Sequence, residues 1–238
     1  MNGKLKPALG NGEIALQGQF MLGSNYTFLV TVHHEGAETP AVYKPQRGEN
    51  PLWDFPEASL ARREVAAYLV SEALGFGFVP LTVLRADGPF GRGSLQQFID
   101  YNPNYHYFTF TPADRQRLRP AALFDLLVNN ADRKGSHFLI HKRTRRLYLI
   151  DHGLCFHEED KLQTVLWDFA GEPIAEDLLS ALAAFRSTLS TPSLPAALEP
   201  YLSPNEIAAL ASRTERLLAN PIFPHPPEDR RAFPYPPL

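Results

Sequence analysis

The part of this chain that most limits its fold lies in the middle. The apolar run "ALFDLLV" (122–128) passes directly into "NNADRKGSHFLI" (129–140), and "LYLIDHGLCF" (147–156) follows soon after. A bland surface loop seldom runs straight back into a strand-like segment. The polar stretch therefore reads as a folded loop between a buried helix and two short apolar strands. Asp132 stands just before the first strand and Asp151 ends the second. Either aspartate alone is uninformative, because Asp is common in turns, where its carboxylate bonds nearby backbone. Set 19 positions apart and flanking a strand pair, the two together mark a site.

The order of elements around this stretch predicts two lobes. Before it, "EIALQ" (13–17), "YTFLVTVHH" (26–34) and "PAVYKP" (40–45) read as antiparallel strands with glycines at the first turn. Next, "EASLARREVAAYLVSEALG" (57–75) reads as a helix entered at Pro56 and closed by Gly75. Two more strands follow, "FVPLTVLRA" (78–86) and "GSLQQFID" (93–100), with turn chemistry between them. Beyond the aromatic loop ending near 111, the pattern becomes helical over 112–130, with Pro120 separating two helices. Further helices are expected at 160–168, 174–189 and 204–219. Residues 220–238 crowd prolines together, which excludes helix and central strand and predicts an extended surface tail.

With 238 residues and an ordinary apolar share of 44%, the chain can bury a useful core. The reading is one domain over 1–238: a first lobe of about 1–99, a second of about 100–219, and the tail 220–238. A net charge of -3 gives no electrostatic reason to expect nucleic acid. No apolar run is long enough for a transmembrane segment, and the N-terminus lacks the apolar core of a signal peptide. The lone cysteine, Cys155, cannot form an internal disulfide. These features together predict a cytoplasmic protein.

Five features fall in a fixed order: a glycine-bearing turn in "GQFMLGSN" (18–25), Lys44 on the third strand, Glu64 on the helix, Asp132 after a buried helix, and Asp151 at a strand end. This order resembles that of protein-kinase-like phosphotransferases. The loop "NADRKGSH" is most similar to the catalytic loop of the phosphatidylinositol 3- and 4-kinase superfamily and its HipA-like bacterial relatives, which carry Asp-Arg-His-x-x-Asn and then a hairpin ending in Asp-Phe-Gly. The whole chain resembles a small bacterial branch of that superfamily. The likeness is sharp at 129–153 and diffuse over the rest of 13–190.

The resemblance implies a bilobal α+β fold: an antiparallel N-lobe sheet with one helix, and a mainly helical C-lobe. It implies ATP with Mg²⁺ or Mn²⁺ in the cleft. Phosphoryl transfer is mostly positioning and charge neutralisation, so cations and metal must surround the phosphates. On this pattern Lys44 reaches the phosphates and Glu64 holds its ammonium, while Gly23 and Ser24 cover the phosphates with backbone N–H groups. The backbone of Gln97 and Phe98 lies where adenine is contacted. Asp132 orients the attacking hydroxyl and Asp151 holds the metal. Arg133 supports the loop, and Asn129 and Asn130 cap the helix before it.

Two positions depart from the family pattern. His137 replaces the metal-binding Asn, and His152 replaces the Phe of Asp-Phe-Gly. Imidazole is a poorer partner for hard Mg²⁺ than an oxygen, which bears on metal preference and on turnover. A zinc site through His152, Cys155 and His157 lacks a second ligand cluster. The leading expectation is an ATP-dependent kinase of a hydroxyl acceptor, on a protein or small molecule rather than a lipid. The alternatives are a nucleotide-binding pseudokinase and an AMP-transferring enzyme on the same fold.

Overall fold

Strand alternation builds the first lobe. In β2 (Phe28–His34) the side chains of Phe28, Val30 and Val32 are buried, and in β3 (Ala37–Pro45) those of Ala41 and Tyr43. Val42 and Lys44 occupy the intervening positions of β3, so Lys44 leaves the sheet on the face opposite Tyr43. Glu35 and Gly36 join β2 to β3 with φ of 50° and 76°. Such paired left-handed residues make the tight hairpin whose twist matches its strands. The computed structural model, which describes residues 2–20 and 25–238, completes an antiparallel sheet in the order β1-β2-β3-β5-β4. Its other strands are β1 (Glu13–Gln19), β4 (Thr82–Gly88) and β5 (Gly91–Gln97). A helix that the sequence reading did not anticipate, α1 (Asn2–Asn11), buries Leu9 in this lobe's core despite carrying Pro7.

The lobe's second helix, α2 (Leu60–Ala73), starts three residues later than its composition predicts. Its cap explains the delay. Ser59 spends its hydroxyl on the Pro56 carbonyl at 2.5 Å, and the Leu60 and Ala61 amides donate instead to the Glu49 carboxylate at 3.1 and 2.9 Å. A carboxylate there also suits the positive end of the helix dipole. Gly75, at φ 73°, closes the helix in the left-handed turn expected of it.

The second lobe is mainly helical and holds the larger core. It comprises α3 (Pro112–Gln116), α4 (Arg119–Val128), α5 (Glu176–Leu189), α6 (Ser193–Leu198) and α7 (Pro204–Ala219), with the hairpin β6 (Phe138–Ile140) and β7 (Leu147–Leu149). The break between α3 and α4 falls at Arg117–Leu118, and Pro120 sits in the first turn of α4, where its missing N–H costs nothing.

Two expectations are corrected. Residues 160–168 are not helical. Their backbone pairs with the loop after α4: Gln163 N–H donates to Asn130 at 2.9 Å, Arg133 N–H to Gln163 at 2.9 Å and Val165 N–H to Arg133 at 3.1 Å. Groups spent this way cannot close helical turns. The tail is extended but not merely superficial, since Phe223 and Ala232 are buried. The Ala232 carbonyl accepts from Thr164 N–H at 3.0 Å, and the Pro237 carbonyl from Gly135 N–H at 2.8 Å. The prolines set its extended shape, while the loop's unpaired amides give it a place to dock.

Candidate active site

Three elements deliver the site's charges to one place. Lys44 Nζ lies 2.5 Å from Glu64 Oε1 of α2 and 2.9 Å from Asp151 Oδ1. The second oxygen of Glu64 accepts the His152 amide at 3.1 Å, so a single buried carboxylate grips both β3 and the end of the hairpin. Burial works against the Lys44 ammonium, but Asp151 and Glu64 overcome it and hold its pKa above the usual lysine value. Partial desolvation opposes charge on the half-exposed Asp151, yet Lys44 and then His137 keep its carboxyl well below the ordinary range. Asp151 adopts φ 62°, a left-handed backbone that costs an L-residue about 1–2 kcal/mol. Strain of this kind persists only where the surroundings over-determine it.

Asp132 stands on the loop after α4, which leaves its helix through Asn129 at φ 54°. Asn130 Oδ1 accepts the Asp132 amide at 2.9 Å, and Lys134 Nζ lies 3.3 Å from the Asp132 carboxylate. Burial raises the Asp132 carboxyl to about 6; Lys134 opposes the shift and the nearby Asp151 charge adds to it. The loop is anchored from below by Arg133, whose guanidinium is fully buried. It donates to Asp125 of α4 through Nε and Nη2 at 2.9–3.0 Å and to the Ile150 carbonyl at 2.8 Å. The remaining Nη2 hydrogen faces His152 Nε2 at 2.8 Å. One arginine thus joins α4, the residue that follows β7 and the Asp-His-Gly turn.

His137 lies with Nε2 3.3 Å from Asp151 Oδ2, while its Nδ1 accepts the Lys134 amide at 3.3 Å. With Nδ1 acting as acceptor, the ring proton belongs on Nε2, facing Asp151. Burial depresses this imidazole to about 3, partly countered by Asp151. Burial also pushes His152 well below the normal histidine range. Both rings are neutral at physiological pH.

The structure therefore brings Lys44, Glu64, His137 and Asp151 into one cluster, with Asp132 near enough to feel the Asp151 charge. Gly23 and Ser24 lie outside the described residues. Gln97 and Phe98 reach the junction of the lobes, but their amides already donate to the carbonyls of Leu81 at 2.8 Å and Pro40 at 3.2 Å. Neither N–H is free for a base. Asn129 braces residues 157–161 instead of a ligand, its amide donating to the carbonyls of His157 and Glu159. Sequence reasoning overlooked Lys134, although a lysine two positions after Asp132 was visible, and it overlooked Asp125, hidden as one charge within an apolar helix. Among the described residues, no group of three or more His, Cys, Asp or Glu side chains converges as a metal site.

This is a protein-kinase-like fold. Its architecture matches the Helicobacter pylori proinflammatory kinase CtkA (TM-score 0.54, 14% identical, 90% of this chain and 94% of that one). It also matches hydra Fam20 (TM-score 0.57, 13% identical, 91% and 86%) and the Golgi casein kinase (TM-score 0.53, 17% identical, 91% and 73%). No protein-family profile matches the chain. Protein Rv2133c of Mycobacterium tuberculosis is 39% identical over 96% of this chain and 93% of its own length, and the chain belongs to that protein's family.

Proposed function

We propose that the chain is an ATP- and divalent-metal-dependent phosphotransferase acting on a hydroxyl of a protein or small molecule. The observation that carries this reading is Lys44, held between Glu64 and Asp151 while Asp132 stands apart with its own lysine. A cation fixed by two carboxylates suits a polyphosphate, because it stays charged and cannot swing away. The fit to a metal rests on the donor set. Asp151 is a half-exposed, ionised carboxylate and would hold the ion. His137 presents an N–H to Asp151, which suits an orienting role beside the ion; acting as a ligand requires that proton to leave Nε2.

When bound, the metal supplies charge neutralisation between phosphate oxygens. Lys44 contributes a fixed positive charge on the phosphates. Asp132, with its carboxyl near 6, is poised to take the proton of an attacking hydroxyl close to neutral pH. Lys134 offers a second cation on the acceptor side of the cleft. With the backbone amides of Gln97 and Phe98 committed, the main chain at those two residues offers a base only carbonyl acceptors.

Intact-mass analysis after incubation with ATP and Mg²⁺ or Mn²⁺, with and without candidate hydroxyl acceptors, tests the reading. Transfer of phosphate to the chain or an acceptor supports it, and transfer of AMP replaces it with adenylylation. ATP with metal should also raise the melting temperature by about 5–10 °C at saturating ligand. No thermal shift with any purine nucleotide overturns nucleotide binding itself. The pseudokinase reading draws on one observation, His137 in place of an oxygen ligand; a thermal shift without any transfer would favour it.

A further inference from the structure

Glu64 is engaged with Lys44, and its neighbour on α2, Arg63, is fully buried at the seam of the lobes, with Nε facing Ser59 Oγ of its own lobe at 3.4 Å. Its Nη1 donates to the Cys155 carbonyl at 2.5 Å, just past the Asp-His-Gly turn, and its Nη2 bonds Glu206 of α7. The guanidinium lies 4.8 Å from the centre of the Phe55 ring. None of these partners belongs to the Lys44–Asp151 group. Glu206 is itself fixed: it occupies the first turn of α7 in a capping box, with Oε2 accepting the Ser203 amide at 2.7 Å. Farther along α7, Arg213 donates to the carbonyls of Leu127 at 2.8 Å and His157 at 3.1 Å, and Arg216 pairs with Asp160 at 2.9 Å. One polar face of α7 thus grips α2, the end of α4 and the segment after Asp151.

We propose that Arg63 is a positioning residue that, through Glu206, locks α2 against the second lobe and so keeps Glu64 engaged with Lys44 independently of anything bound in the cleft. This rests on reading the cleft as the phosphotransfer site. The physical basis is the orientation of α2. Arg63 and Glu64 are adjacent in sequence and leave the helix about 100° apart. A rotation or outward swing that frees Glu64 must therefore also pull a buried guanidinium from a carboxylate and a carbonyl. Drawn away from both the Glu206 carboxylate and the Cys155 carbonyl, the guanidinium would lose its partners in the second lobe while still largely desolvated, which favours a single position of the helix.

The test uses Glu206→Gln, which retains a residue able to complete the capping box while removing the carboxylate that faces Arg63, together with Arg63→Met. The readout is hydrogen exchange at the His152 amide, whose acceptor is Glu64, and along α2, with α5 as an internal reference. In both variants exchange at His152 and α2 should accelerate by at least about tenfold with α5 unchanged, as local opening requires. Should Arg63→Met fail to fold, Glu206→Gln carries the test alone. Unchanged exchange at His152 overturns the proposal, and so does a uniform acceleration that includes α5, which would show a merely structural role. In a working enzyme, Glu206→Gln should also lower kcat; exchange that accelerates with kcat intact overturns the positioning role. Absence of transfer by the wild-type protein overturns the functional reading alone, because the exchange measurement requires no turnover.

Discussion

Asp132 and Asp151 share a residue type and a cleft, but their surroundings drive them in opposite directions. Asp151 is held ionised by Lys44, whereas burial raises Asp132 from 3.8 to about 6. A carboxylate destabilised in this way is retained at the expense of the fold, since at neutral pH its charge is less favourable folded than unfolded. Asp132→Asn should therefore stabilise the protein at pH 7.5 by about 1–2 kcal/mol after solvent screening. It should abolish transfer and leave nucleotide binding nearly intact. Asp151→Asn should instead weaken metal–nucleotide binding and lower stability, because Lys44 loses one of its two carboxylates and His137 its charged partner. Melting curves and nucleotide titrations on the two variants check both expectations. An Asp132→Asn protein less stable than wild type would show that the carboxylate is not strained.

At the scale of elements, the loop of residues 129–137 is held less by its own sequence than by what lies beneath it. The Arg133–Asp125 pair is almost fully buried, and burial still raises the Asp125 carboxyl despite the guanidinium beside it. Removing one partner strands the other charge in the core. Arg133→Met should cost about 3–5 kcal/mol in chemical denaturation. The double variant Arg133→Met/Asp125→Leu should recover most of that stability but not the activity, because the Ile150 carbonyl and His152 remain unbonded. If the double variant is as unstable as the single one, the ion pair is not the source of the loss. The start of α2 is likewise fixed from outside the helix. Its cap is Glu49, 11 residues before Leu60, a distance that local propensity does not sense.

For the molecule as a whole, pH dependence follows from the same buried groups. His137 falls from 6.5 to about 3, and His152 also falls well below 6.5, so both are neutral when folded. As pH drops below 6.5 the unfolded chain takes up these protons first, and stability is lost. Asp132 acts oppositely: between about 6 and 3.8 the folded state binds its proton first and gains stability. Burial also raises the carboxyls of Asp125 and Glu49, though by less, and the two deeply shifted histidines outweigh these groups. The melting temperature should thus fall by about 5–10 °C between pH 7 and pH 5. His137→Asn should flatten that slope, and calorimetry at the two pH values measures both effects. A melting temperature that rises toward pH 5 would show the two rings to be protonated in the fold.

Much of this was legible along the chain, because it is local. The strand alternation around Lys44, the helix ending at Gly75, and the polar loop between α4 and β6 each express short-range stereochemistry and patterning. The order Lys44, Glu64, Asp132, Asp151 is one-dimensional information as well. The sequence therefore determined the bilobal α+β class and pointed to Lys44, Glu64, Asp132 and Asp151, though not to Lys134 or Asp125. Only the tertiary structure decided what those residues are. The raised carboxyl of Asp132, the proton of His137 facing Asp151 and the buried charge of Arg133 depend on burial and on partners many positions away. It likewise decided that residues 160–168 are not a helix: helical hydrogen bonds are the default for such a segment, but here the loop carrying Asp132 competes for the same backbone groups and wins them.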